Sequence, residues 1–299
     1  MIVVTTPTGQ IGRQVLDHLL DAGDALDGTT DIRVIAREPE RLSARVHQRV
    51  EVVRGSHADP DVLEEACEGA DRLFWLVPPA PQADSVEGHF RAFTESLCET
   101  IARHGLERVV GVSTLGRTVA KNAGQISASL AMDEAIMATG VHYRALCPPF
   151  LMENLLGQAA SIRDAGVFFL SMTEDRVLRT CATRDIAATA ARLLLDGSWT
   201  EQHDVPLVGP DDLAPGGMAD VVSEVLNRPV RVQLISSSDY RAAALRRGAS
   251  EAWAQALADM TDALNEQGFY GADAPSTPES APTHFREWCE EVLKPAVLG

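Results

Sequence analysis

The first twelve residues constrain this chain more than any other stretch. Met1 to Thr5 (MIVVT) is an apolar, β-branched run. The turn Thr6-Pro7-Thr8-Gly9-Gln10-Ile11-Gly12 leads from it into Ile11 to Ala22, where Ile11, Val15, Leu19 and Leu20 fall near one helical face. A strand, a glycine-bearing turn and a helix in that order begin a parallel βαβ unit. Backbone N–H groups at the helix start, with glycines where a β-carbon would intrude, suit a dinucleotide pyrophosphate. Gly9 and Gly12 meet that need, and their place directly after the first strand gives the spacing its weight. One departure stands out: the first position of the GxxGxxG form is Thr6, followed by the rigid Pro7. Thr8 offers a hydroxyl to a phosphate oxygen, and Thr6, Gln10 and Ile11 complete the cofactor-binding turn.

The alternation continues down the chain. Ile32 to Ala36, Val50 to Val53, Arg72 to Val77, Arg108 to Val112 and Val141 to Leu146 read as strands. Helices fall between them, among them one opened by Glu38-Pro39, Asp59-Pro60 to Cys67, Ser85 to His104 with its Phe90, Phe93, Leu97 and Ile101 stripe, and Ser127 to Thr139. The expected fold is α/β, a doubly wound parallel Rossmann sheet over residues 1–148, with about 180–208 returning to it and a smaller C-terminal α+β substrate domain over 149–299. Ile186 to Leu195, Met218 to Leu226 and Ser250 to Asn265 read as helices, Val205 to Val208 as a strand, and Ala272 to Thr283 as an exposed loop.

Charge and cysteine content narrow the function. With 43 acidic against 26 basic residues and a net charge of −17, nucleic acid is a poor partner. An anionic cofactor then needs a local site that works against the overall field. The five scattered cysteines form no CxxC pair and have no histidine at ligand spacing, so neither a metal nor a disulfide is expected. No apolar run approaches the roughly 20 residues that span a bilayer, and a cytoplasmic protein is expected. At the end of the second strand, where an acidic residue would bind the ribose of NAD, stand Ala36 and Arg37. A guanidinium there favours a 2′-phosphate, with Arg41 one turn later, so NADP(H) is the expected cofactor.

Several stretches now carry a family likeness: Thr6 to Gly12, Arg33 to Arg37 with Pro39, Ser113-Thr114, Pro148-Pro149-Phe150-Leu151-Met152-Glu153-Asn154, Arg184 to Ala187, Val208-Gly209-Pro210, Asn227 to Val230 and Phe285 to Trp288. The chain resembles the NmrA-like group of atypical short-chain dehydrogenases/reductases, which holds NADP(H)-dependent quinone and azo-compound reductases and also cofactor-binding regulators. The resemblance implies that Pro78, Pro79, Ser113, Pro148 and Pro149 border the cofactor. It also implies that Phe150, Met152 and Asn154 line a substrate cleft.

The usual catalytic pair of short-chain dehydrogenases is missing. Counting back from Gly140 places Gln125 and Ser129 where YxxxK would stand. None of Tyr143, Tyr240 and Tyr270 has a lysine four residues on, and the only lysines are Lys121 and Lys294. Ser113, as a polarising donor, and Lys121 remain as catalytic candidates. Reduction of a quinone suits such a site, because hydride addition gives a stabilised phenolate and demands orientation more than acid catalysis. Three readings stay open: an NADP(H)-dependent reductase of a planar apolar carbonyl compound, a non-catalytic redox sensor with a protein partner, and a non-redox isomerase or cyclase. A small-molecule partner, and a homo-oligomer, fit the first.

Overall fold

Parallel strands cannot be joined by hairpins, so each pair here is connected by a crossover that lays a helix on one face of the sheet. In this computed structural model, which describes residues 1–25, 31–270 and 275–299, seven strands form that sheet: β1 (Ile2–Val4), β2 (Ile32–Ala36), β3 (Glu51–Arg54), β4 (Arg72–Trp75), β5 (Arg108–Val112), β6 (His142–Cys147) and, after three strands outside it, β10 (Gln202–Pro206). The spatial order is β10-β6-β5-β4-β1-β2-β3, every pair parallel. The chain builds outward from β1 to β3, then turns back and builds the other way from β4. The crevice at the carboxyl ends of β1 and β4 is therefore the switch point, where ligands of such sheets bind.

The helices α1 (Gln10–Ala25), α2 (Ala44–Arg49), α3 (Pro60–Cys67), α4 (Val86–His104), α5 (Gln125–Ala138), α6 (Ala159–Ala165) and α7 (Thr183–Leu195) follow in chain order. Strand residues alternate between the two faces of the sheet's core: Ile2 and Val4 join Leu16, Leu20, Ile186 and Ala190 from α1 and α7, while Val3, Leu73 and Trp75 join Leu63, Leu97 and Ile136 from α3, α4 and α5. Each such side chain removed from water contributes about 1.5–3 kcal/mol. Caps fall where the sequence suggests, with Asp59 accepting from Asp61 N–H and Ser85 from Gly88 N–H. At Glu38-Pro39 the expected helix is a single 3-10 turn, Pro39–Arg41, because Ser43 caps a new helix, α2, immediately afterwards.

A second core lies beyond the sheet. Met152, Leu155 and Ile162 pack with Phe168 of β8 (Val167–Leu170), Met218 and Val222 of α8 (Pro215–Leu226), and Phe285 and Trp288 of α11 (Phe285–Trp288). Strand β8 pairs in parallel with β11 (Arg231–Leu234), and β7 (Phe150–Leu151) with β9 (Thr180–Cys181). The remaining helices are α9 (Ser237–Arg246), α10 (Glu251–Gln267) and α12 (Lys294–Leu298), the last reached from α11 through a π-helical turn. α10 packs on the sheet's own helices: Trp253 and Ala256 meet Val86 and Ala128, and Ala263 meets Ile126. Gly124, at φ +52°, permits this contact, since a β-carbon there would lie 2.0 Å from the Ala256 carbonyl oxygen.

Residues 272–274 of the expected exposed loop lie outside the described residues, but its later part is held down. Thr277 N–H donates to the Val208 carbonyl at 2.8 Å, and Ala281 and Thr283 are buried. Among the described residues no helix is long and apolar enough to cross a membrane.

Glu153 joins the two cores. The start of α7 has no cap from its own preceding residue, Ala182; both Glu153 carboxylate oxygens accept from Thr183 N–H at 3.1 Å, and one also accepts from Thr183 Oγ1 and Trp288 Nε1. Glu153→Ala leaves these donors unpaired inside the protein and is expected to lower the unfolding free energy by about 2 kcal/mol, read from urea denaturation.

Candidate active site

The turn after β1 holds its shape by a close backbone approach. Gly9 N–H donates to the Thr6 carbonyl at 3.0 Å, and that same oxygen would lie 2.1 Å from a β-carbon on Gly12. Only glycine fits at position 12. Thr6 takes φ +51°, in the left-handed region where glycine is at ease, which explains why glycine is usual at this position. For a β-branched residue that conformation costs on the order of 1–3 kcal/mol. The Thr6 hydroxyl is buried and has no partner among the described residues. The opening N–H groups of α1, which an α-helix leaves without acceptors of its own, sit at the carboxyl end of β1. Thr8 is half-exposed and Gln10 exposed at this turn, whereas Ile11 packs inward beneath it.

Arg37 follows β2 directly and is exposed, with no ion pair among the described residues, while Arg41 pairs with Glu38 at 3.3 Å. A guanidinium without a protein partner, an orphan hydroxyl and a helix N-terminus around one crevice fit a phosphorylated dinucleotide. Pro78 and Pro79 end the segment after β4, and the Pro78 carbonyl is 2.8 Å from His89 Nε2. Pro148 and Pro149 follow β6 and are buried.

Close to this crevice His57 is buried against Trp75 and Phe93, its Nε2 3.0 Å from the Leu76 carbonyl. Burial pushes its pKa down to about 4, with the nearby charges of Arg37 and His89 adding to the effect. His57 is therefore neutral at pH 7.

Ser113 lies at the carboxyl end of β5, but its hydroxyl donates to Asp133. Asp133 is fully buried and also accepts from Tyr143 Oη and Arg117 Nη2, each at 2.6 Å; Arg117 in turn holds Asp204 at 2.7 Å. Burial raises the Asp133 pKa, and its three hydrogen-bonded partners oppose the rise. Burial likewise drives Tyr143 well above the usual phenol range. The Ser113 proton is thus committed to a structural network. Lys121 is exposed on the loop after β5, where its backbone N–H and carbonyl both bond the Gln267 side chain, and it lines no part of the cavity described next.

That cavity, of about 600 Å³, lies between the segment after β6 and the helices α9 and α10. Phe150 and Asn154 line it as the sequence suggests; Met152 instead faces the second core and is wholly buried. Gln125, singled out only as the replacement for a catalytic tyrosine, is the first residue of α5 and lines the cavity with its Nε2 buried and unpartnered among the described residues. Tyr270 is a lining residue that sequence reasoning missed as a site candidate. Its hydroxyl meets that of Thr114, and burial raises its pKa to about 12, the Thr114 bond opposing. Tyr240, Met260 and Leu264 also reach the cavity from α9 and α10, and no motif marks them.

The chain matches the NAD(P)H-binding family over residues 7–196 and belongs to that family. It is 29% identical over 248 residues, 83% of this chain and 81% of the relative, to the (4-alkanoyl-5-oxo-2,5-dihydrofuran-3-yl)methyl phosphate reductase of Streptomyces griseus. It is 28% identical over 265 residues, 87% of this chain and 86% of the relative, to the NAD(P)H azoreductase of Xenophilus azovorans. Its fold is shared with the NADPH-dependent quinone oxidoreductase of Escherichia coli solved with NADPH, at a TM-score of 0.79 and 21% identity, covering 96% of this chain and 98% of that one.

Two outcomes are expected. Gly12→Ala drives a methyl group into the Thr6 carbonyl and abolishes NADPH binding measured by fluorescence titration, while Gly157→Ala, where a β-carbon meets nothing within 4 Å, leaves it intact. His57 takes up a proton more readily unfolded than folded, so its contribution to stability is complete above its ordinary pKa of 6.5 and is lost as pH falls towards 4. The difference in unfolding free energy between the wild type and His57→Gln is expected to change by about 3 kcal/mol between neutral pH and the acid end of that window.

Proposed function

We propose that this member of the NAD(P)H-binding family is an NADP(H)-dependent oxidoreductase of the NmrA-like type, which reduces a quinone-like or other planar apolar carbonyl compound without a Tyr/Lys pair. The observation that carries the reading is the cavity beside Phe150, walled by apolar side chains and fed by the carboxyl edge of a sheet whose first turn fits a pyrophosphate. The relatives that reduce azo compounds and a dihydrofuranone phosphate, by their names, support it. In this reading residues 1–148, joined by 180–208, hold the cofactor, and most of 149–299 shapes the substrate cleft.

The roles divide by position. The turn Thr6 to Gly12 holds the pyrophosphate, Arg37 the 2′-phosphate, and Pro78-Pro79 and Pro148-Pro149 border the dinucleotide. When bound, the cofactor supplies a hydride. Phe150 and Met260 exclude water and hold a flat substrate in orientation. Because Ser113 is bonded to Asp133 and Lys121 stands outside the cavity, a substrate carbonyl is polarised by Gln125 Nε2, one of the unpartnered donors of the lining, and its hydrogen bond becomes stronger as negative charge develops on that oxygen. An amide has no proton to give, so the product anion is protonated by water, which suits phenolates and enolates and disfavours simple ketones. The commitment of Ser113 also favours one competitor, a non-catalytic redox sensor.

Loss of NADPH absorbance with a panel of quinones and azo dyes tests the proposal. Turnover is expected with NADPH, with Arg37→Ala raising the NADPH Kd about tenfold and leaving NADH unchanged. NADPH binding without turnover on any acceptor would establish the sensor, and product formed without nicotinamide an isomerase or cyclase.

A further inference from the structure

The cavity bears a charge pattern opposite to that of the chain. Three arginines, Arg176, Arg246 and Arg247, line it against a single carboxylate, Asp239, in a protein with a net charge of −17. None of the three makes an ion pair among the described residues, whereas most other arginines of the surface do, including Arg45, Arg163, Arg184, Arg241 and Arg286. Asp239 does not neutralise them. It accepts from Ser236 Oγ at 2.7 Å in the first turn of α9, and seven residues of helix, about 10 Å, separate it from Arg246 and Arg247 at the other end.

The two exposed arginines stand at the mouth, and their turn is fixed in place. Gln82 Nε2 donates to the Gly248 carbonyl at 2.5 Å, Ser250 N–H to Pro81 at 2.8 Å and Ser250 Oγ to Ala83 at 2.6 Å, so the end of α9 is tied to the loop that follows Pro78-Pro79. Arg176 is anchored from within, its Nη1 donating to the Leu264 carbonyl at 2.6 Å. Beside it Ser171 Oγ is buried and lacks a partner among the described residues. The planar donor fork of a guanidinium matches an oxyanion better than any neutral group.

We infer that the substrate carries an oxyanion, as a phosphate monoester, sulfonate or carboxylate, which Arg246 and Arg247 seat at the mouth while its flat apolar part fills the interior. This rests on the reading of the cavity as the substrate site and adds the charge that the substrate must bear. It also explains how an acidic protein collects an anionic substrate, since the arginines that line the cavity are not already neutralised by a described carboxylate.

Two probes separate the charge from the chemistry: naphthoquinone sulfonate and its uncharged methyl analogue, menadione. With NADP⁺-loaded protein, calorimetry is expected to show the sulfonate bound at least tenfold more tightly than menadione. Arg246→Ala/Arg247→Ala removes that advantage, and the double lysine variant restores part of it. NADPH affinity and the melting temperature stay at the wild-type level, which shows that the fold and the cofactor site are intact. In turnover the double alanine variant raises KM for the sulfonate at least tenfold and leaves menadione and both kcat values within about twofold. Equal binding of the two probes by the wild type, or equal loss for both in the variant, overturns the inference. Arginine-dependent binding of the sulfonate without reduction of either quinone would overturn the proposed reductase and leave the oxyanion subsite standing.

Discussion

The contact between Gly12 and the Thr6 carbonyl sets the geometry on which the rest depends. It lets the first turn of α1 close onto the end of β1, which puts the unpaired N–H groups of that helix at the switch point between β1 and β4. Around that crevice lie the segment after β2 with Arg37, the Pro78-Pro79 segment after β4, Ser113-Thr114 after β5 and the Pro148-Pro149 segment after β6. A threonine in the left-handed conformation at position 6 is held there by the packing of α1 and β1 rather than by its own preference.

Beneath the crevice, one set of buried polar groups is tied into a single network. Asp133 is fully engaged by Ser113, Tyr143 and Arg117, and Arg117 by Asp204 of β10, so this network fastens the outermost strand to the centre of the sheet. Breaking such a buried network by removing one partner costs far more than the pair contributes when intact. Of the buried side-chain atoms without a partner among the described residues, Thr6 Oγ1 lies in the turn, and Gln125 Nε2 and Ser171 Oγ belong to residues that line the cavity.

Much of this was legible in the residues. Strict strand and helix alternation up to residue 148 reports its own topology, because period and turn chemistry act over a few residues. The Glu38-Pro39 helix shrank to a single turn since capping by Ser43 won over the proline start. Pattern failed after residue 149, where β8 finds its partner only in the distant β11, and α9 is short, half-exposed and packed on α10. The site divided in the same way. The glycine turn at Gly9 and Gly12 and the exposed place of Arg37 after β2 were readable from position alone, whereas Met152 faces the second core and Ser113 turns to Asp133, orientations set by tertiary packing.

The sequence by itself determined the parallel sheet, the glycine turn after its first strand and the lack of a YxxxK motif, because each is a matter of local spacing and residue type. Only the tertiary structure decided which side chains share the cavity. Gln125, Tyr270 and the arginines of α9 come together because α10 packs on α4 and α5 and brings its flanking segments over the carboxyl edge of the sheet. No local rule records that packing. The opening turn sets the helix N–H groups at the switch point by local spacing alone, while the distant C-terminal helices wall the cavity.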